Sequence, residues 1–180
     1  MWKTLLLVVL LPAGAGMAQD DSASCTALEY RQFDFWLGDW EVRRPDGRLA
    51  GTNRVTSEFG GCVLQEHYDT ERGYSGSSFN IYDAGRKRWH QTWVDTSGLL
   101  LELDGGLVDG SMILEGETVG PYGVVTRHRI TWTPNADGSV RQLWESREGS
   151  DEWTVTFDGL YTRSRVAQNW RDRRLVGKLR

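Results

Sequence analysis

The feature that most constrains this chain is a run of about ten segments with period-two hydrophobicity, joined by turns too short to hold a helix. The segments are Trp40–Arg44, Leu49–Phe59, Cys62–Asp69, Gly73–Tyr82, Arg88–Val94, Leu99–Leu103, Ser111–Glu117, Val124–Thr133, Val140–Arg147 and Glu152–Tyr161. PDG, DAG, DTSG and PNADG punctuate them as turn signals. A parallel sheet needs crossover connections of roughly a dozen residues or more, for which there is no room. The expected fold is therefore all-β: an antiparallel meander of about ten strands, closed as a barrel or folded as a sandwich. One short helix is expected before it, over 29–38 (EYRQFDFWLG), where Tyr30, Phe33 and Leu37 fall at helical spacing and Gly38 ends the turn.

Alternation assigns side chains to faces. Trp89, Gln91 and Trp93 share one face of their strand, as do Val124, Thr126, His128, Ile130 and Trp132 on another. Val140, Gln142 and Trp144 form a third set, and Trp153, Val155 and Phe157 a fourth. Glu66 alternates with Leu64 and Tyr68 and is expected to point inward, paired with an Arg or a Tyr hydroxyl; Glu145 and His90 are expected to point out. Nine tryptophans in 180 residues is a high load. Large rings either fill a barrel or line a cavity for a partly apolar ligand. Polar groups on the same face must find hydrogen bonds, from one another or from a ligand. The candidate ligand-binding set is Glu66, Gln91, Trp93, His128, Trp132, Gln142 and Trp144.

The N-terminus reads as an export signal. Lys3 precedes the apolar run TLLLVVLLP, and Gly16 and Ala18 occupy the small positions of a cleavage site after Ala18. The run is too short to span a bilayer; an anchor or a buried strand is the other reading. The expected organisation is a signal peptide over 1–18, a loose polar segment over 19–28, a β-domain over 29–163 and a basic segment over 164–180. Cleavage removes one Lys and no acid, so the formal charge moves from −4 to −5. That balance argues against a general nucleic-acid surface. The basic segment, with Arg165, Arg171, Arg173, Arg174, Lys178 and Arg180, is a solvated tail or a contact surface. In a periplasmic or secreted protein Cys25 and Cys62 are expected to form a disulfide; lipidation of Cys25 is the alternative.

The stretch FDFWLGDW at 33–40 is expected to plug one end of a barrel and lead into its first strand. Gly38-Asp39-Trp40 resembles the G-x-W signature at the first strand of lipocalins and their calycin relatives. The resemblance implies that Trp40 packs over the closed end against an arginine past the last strand, Arg163 or Arg165. Trp36, Gly38, Trp40 and Arg163 are then the closure residues. A longer resemblance runs from Phe33 to Arg163, carried by FDFWLGDWEV, GCVLQEHY, GYSGSSFNIYD, WHQTWVDTSG, RITWTPNADGSVRQLWE and FDGLYTR. These look like the exported bacterial domain-of-unknown-function family numbered 1579. It implies a calycin-like barrel and an exported location, and the family has no established reaction to carry over. A related haem-binding barrel family uses a histidine near its C-terminus; here the last histidine is His128.

No catalytic constellation emerges. G-x-S-x-G, H-E-x-x-H and a Gly-rich phosphate loop are all absent from the sequence. GYSGSS at 73–78 reads as a bulged strand start. His67, His90 and His128 have no local ligand spacing, so no metal or cofactor is expected. The expected function is binding of a small hydrophobic or amphipathic molecule in the barrel. A ligand-free structural or protein-interaction module and an enzyme using the pocket, with Glu66 or His128 as acid or base, are the alternatives.

Overall fold

The computed structural model describes residues 25–164; the expected signal peptide and nearly all of the basic C-terminal segment lie outside them. Ten strands form an antiparallel meander: β1 (Gly38–Arg43), β2 (Leu49–Glu58), β3 (Val63–Asp69), β4 (Ser75–Asp83), β5 (Arg88–Asp95), β6 (Leu100–Val108), β7 (Ser111–Val119), β8 (Val125–Pro134), β9 (Val140–Glu148) and β10 (Thr154–Arg163). Each pairs with its chain neighbour, and β1 pairs with β10, Trp40 facing Arg163 and Val42 facing Tyr161, so the sheet closes as a barrel. Closure leaves no free sheet edge. Among the described residues, no helix is long and apolar enough to cross a membrane.

The short helix expected before β1 is present as two 3-10 turns, Leu28–Arg31 and Asp34–Trp36, and two other local expectations are corrected. The tighter turn aims both Phe33 and Trp36 into the barrel, where each is fully buried. β6 does not end at Leu103: its pairing with β7 continues from Asp104 to Val108 through two glycines that read as a stop. GYSGSS holds no bulge. β4 begins at Ser75 in unbroken register with both neighbours, and Gly76 is small because a Cβ there would lie 2.2 Å from the Trp93 ring.

A bulge occurs instead in β10, where the register with β9 slips between Val155 and Phe157. Val155 faces Glu145 and Phe157 faces Trp144. The extra residue breaks the simple alternation. Val155, expected inside with Phe157, is 62% exposed, while Phe157 packs against the core.

One end of the barrel is plugged by rings. Phe33 stacks on Trp36 at 5.0 Å between centroids and meets the edges of Trp89 and Trp132 at 5.6 and 5.2 Å. Trp40 donates its indole N–H to the Trp36 carbonyl at 2.9 Å. Arg163 lies over the Trp40 ring with its guanidinium carbon 3.8 Å from the centroid, and also donates to the Leu37 carbonyl. Gly38 has φ +140°, and a Cβ there would lie 1.7 Å from Arg163 Nη1. The disulfide Cys25–Cys62 ties the segment that carries the plug to the start of β3.

Two stability outcomes follow from this clasp. Gly38→Ala is expected to destabilise the fold by about 2–3 kcal/mol, since the new methyl displaces Arg163 and strains the backbone. Arg163→Ala should lose about 1–2 kcal/mol of stacking and carbonyl bonding. Urea unfolding followed by Trp emission measures both; equal stability of Gly38→Ala and wild type would contradict the clasp.

Candidate functional site

The plug leaves the other end of the barrel hollow. A cavity of about 600 Å³ opens there, between the loops that join β1 to β2 and β3 to β4. Its walls carry Tyr68, Tyr74, Trp93, Leu101, Ile130, Trp144 and Phe157, and its rim carries Arg44, Arg48, Glu71 and Arg72. Glu66, Gln91, Gln142 and Tyr161 give the interior its polar surface. The volume and the mixture of apolar wall with a few polar groups suit a small organic molecule.

The polar groups belong to a buried chain of hydrogen bonds across β2 to β5. Asn53 Nδ2 donates to Glu66 Oε1 at 2.9 Å, and Ser78 Oγ donates to Glu66 Oε2 at 2.7 Å. Asn80 Nδ2 donates to Ser78 Oγ at 2.9 Å and to the Leu64 carbonyl at 3.1 Å. Gln91 Nε2 donates to Asn80 Oδ1 at 2.7 Å. On the opposite wall the Tyr161 hydroxyl donates to Gln142 Oε1. Glu66 is thus inside the barrel, but its partners are an amide and a hydroxyl, not the arginine or tyrosine expected from its position. The reason is register: Ser78 on β4 sits directly opposite Glu66, and on β2 Val55 sits opposite it, with Asn53 two residues away on the same face, opposite Tyr68.

Burial pushes the Glu66 carboxyl up from 4.5 to about 7, while the bonds from Ser78 and Asn53 pull it back down. Burial also raises Tyr68 and Tyr161, which stay neutral. Tyr74 is raised by burial first and by its bond to Asp95 second.

The ring walls are fixed from behind. Asp95 Oδ2 accepts from Trp93 Nε1 at 3.0 Å and from the Tyr74 hydroxyl at 2.9 Å. Burial disfavours the Asp95 charge, but hydrogen bonds from Ser97, Trp93 and Tyr74 outweigh it and hold the carboxyl below its usual range. Trp144 Nε1 donates to His128 Nδ1 at 3.2 Å, and His128 Nε2 bonds the Thr118 hydroxyl at 2.9 Å. Burial lowers the His128 pKa, which keeps the imidazole neutral and able to accept from Trp144.

Of the seven residues expected around a ligand, Glu66, Gln91, Trp93, Gln142 and Trp144 line this cavity. Trp132 does not: it lies at the plugged end, fully buried against Phe33 and Trp36. His128 sits behind Trp144 and also edges an outer hollow with Arg129, Arg147 and Trp153. Trp132 points inward as alternation requires, but at the plugged end, away from the cavity. Asn53, Ser78, Asn80, Tyr68 and Phe157 were missed. Period two applied to GTNRV and SGSSFN turns Asn53, Ser78 and Asn80 inward as well, a signal that carries no aromatic residue at those positions. Among the described residues no group of three His, Cys, Asp or Glu side chains is placed to hold a metal ion.

A scan against models of known protein families matched none, and a search of curated proteins found no match.

The raised Glu66 carboxyl makes stability depend on pH. Its folded pKa exceeds its unfolded one, so its contribution is complete below about pH 4.5 and is lost as pH rises through about 7. The loss is roughly 3 kcal/mol at about 1.4 kcal/mol per pH unit. In urea unfolding from pH 4.5 to 8, Glu66→Gln should flatten that decline; an unchanged slope would place its origin elsewhere.

Proposed function

We propose that this protein binds a small, partly apolar molecule in the open end of its barrel. The observation that carries the reading is the cavity itself, about 600 Å³ with ring walls and a buried polar floor. A barrel of about eight strands is just wide enough for side chains to fill. Ten strands enclose more space, and here the plug occupies only one end of it. The indole N–H groups of the wall rings Trp93 and Trp144 donate to Asp95 and His128, which keeps the hollow preorganised.

The reading includes an exported protein of calycin type. The Cys25–Cys62 disulfide suits an oxidising compartment, and the N-terminal signal pattern supports the same location. Kinship with the exported family numbered 1579 rests on the order of the sequence motifs from Phe33 to Arg163.

Native mass spectrometry of periplasmically expressed protein tests the reading. A bound mass released on unfolding is the expected result. Thr156→Trp, which adds a ring at an exposed position on the cavity wall, should abolish that mass and leave the unfolding free energy within about 0.5 kcal/mol of wild type. Retention of the same mass in Thr156→Trp would put the ligand outside the cavity.

A further inference from the structure

Building on the reading that the cavity holds a small molecule, we propose that this molecule carries a cationic amine head seated on Glu66 and an aromatic or apolar body against the ring walls. Glu66 is only 4% exposed and yet lines the cavity. Its two oxygens each accept one bond from a neutral donor, Asn53 or Ser78, and none of the ion pairs among the described residues includes it. A carboxylate has about four acceptor positions. Two are used, and what remains is acceptor capacity with no cation to meet it. A buried carboxylate is stable only when paired; an ammonium group delivered by a ligand supplies the missing charge. Rings on the same cavity add attraction for a cation through their faces.

The surroundings leave Glu66 as the group that decides. Its own strand adds Tyr68, the approach to β4 adds Tyr74, and β10 adds Tyr161, each with its hydroxyl pKa raised and therefore uncharged. β4 and β5 contribute only neutral polar groups around it, and β6 and β8 line the cavity with Leu101 and Ile130. The remaining charges are Asp95, behind the Trp93 and Tyr74 rings with its carboxylate occupied by their hydrogen bonds, and the rim groups Arg44, Arg48, Arg72 and Glu71. An acidic head would stop at those arginines and leave Glu66 unmet. Burial already pushes the Glu66 pKa up to about 7, so an ammonium ligand must compete with a proton for the site.

Three isosteric probes separate these cases: 4-phenylbutylamine, 4-phenyl-1-butanol and 4-phenylbutyrate, titrated calorimetrically into the disulfide-bonded protein from pH 5.5 to 8. At pH 8 the amine should bind at least about tenfold tighter than the alcohol, in line with a charge-assisted bond in a desolvated site. Below about pH 7 its affinity should fall about tenfold per pH unit as one proton displaces it. The alcohol should show no such slope, and the acid should bind more weakly than the alcohol. Glu66→Gln should bring the amine down to the alcohol's affinity and leave the alcohol within about twofold. An amine no tighter than the alcohol, or an amine preference that survives Glu66→Gln, overturns the proposal. So does an acid that binds tightest and loses its affinity in Arg72→Ala, which would move recognition to the rim. If Glu66→Gln fails to fold, the wild-type pH profiles decide alone. Equal binding of all three probes would sink the amine head but keep the cavity reading; no binding of any probe up to millimolar concentration would sink both.

Discussion

The packing of Phe33 and Trp36 against Trp89 and Trp132 is the interaction on which the rest of the molecule depends. A ten-stranded barrel is too wide for its own inward side chains to meet everywhere. Without rings driven in from outside the sheet, the interior would be a water-filled tube with little apolar burial to hold it closed. The N-terminal 3-10 turns supply those rings at one end. Burying four large aromatic side chains there gives a dense layer, each ring removing on the order of 150–250 Å² from water. The clasp of Trp40 by Arg163 and the Cys25–Cys62 disulfide then hold the plug against the first and third strands.

The hollow at the other end is the counterpart of that arrangement. The plug is only one layer deep, so the strands beyond it enclose space that their own side chains do not fill. The chain handles this space with polar order as much as with apolar packing. Asn53, Glu66, Ser78, Asn80 and Gln91 form a continuous hydrogen-bonded chain between the plug and the mouth. Such a network fixes side-chain directions more tightly than apolar contact does, because each misplacement leaves a buried group unpaired. Its cost is concentrated in Glu66, where burial works against the charge. A fold retaining a buried carboxyl at the surface of a cavity, where an apolar residue of similar size would be cheaper, carries a group suited to recognition.

The walls and the outer surface are coupled through a few hydrogen bonds. Asp95 sits at the end of β5 and accepts from two rings of the wall at once. His128 stands behind Trp144 and stays neutral through burial. Of the two, His128 reads from the sequence as a ligand-binding or acid–base candidate. In the structure they act as supports that set where the rings face, which is the commoner role for a polar side chain buried among aromatics.

Strand number, antiparallel order, the inward direction of Glu66, Gln91, Trp93, Gln142 and Trp144, and the pairing of the two cysteines were legible in the sequence. The first three follow from period-two alternation and turn chemistry, which are local properties, and the last from the expectation that a chain with an export-signal pattern pairs its only two cysteines. The face of Val155 was not legible, because a one-residue bulge against β9 reverses alternation and leaves no mark in β10 itself. Nor was the division of labour between Trp132 and Trp144. Both point inward from neighbouring strands, but their heights along the barrel axis depend on the register of ten strands taken together. Only the closed sheet places Trp132 in the plug and Trp144 on the cavity wall, and only it brings Asn53, Ser78 and Glu66 from three strands to one point. The sequence by itself determined which side chains enter the interior; the tertiary structure decided which of them fill it and which border empty space, because depth is a property of the closed sheet and not of any strand.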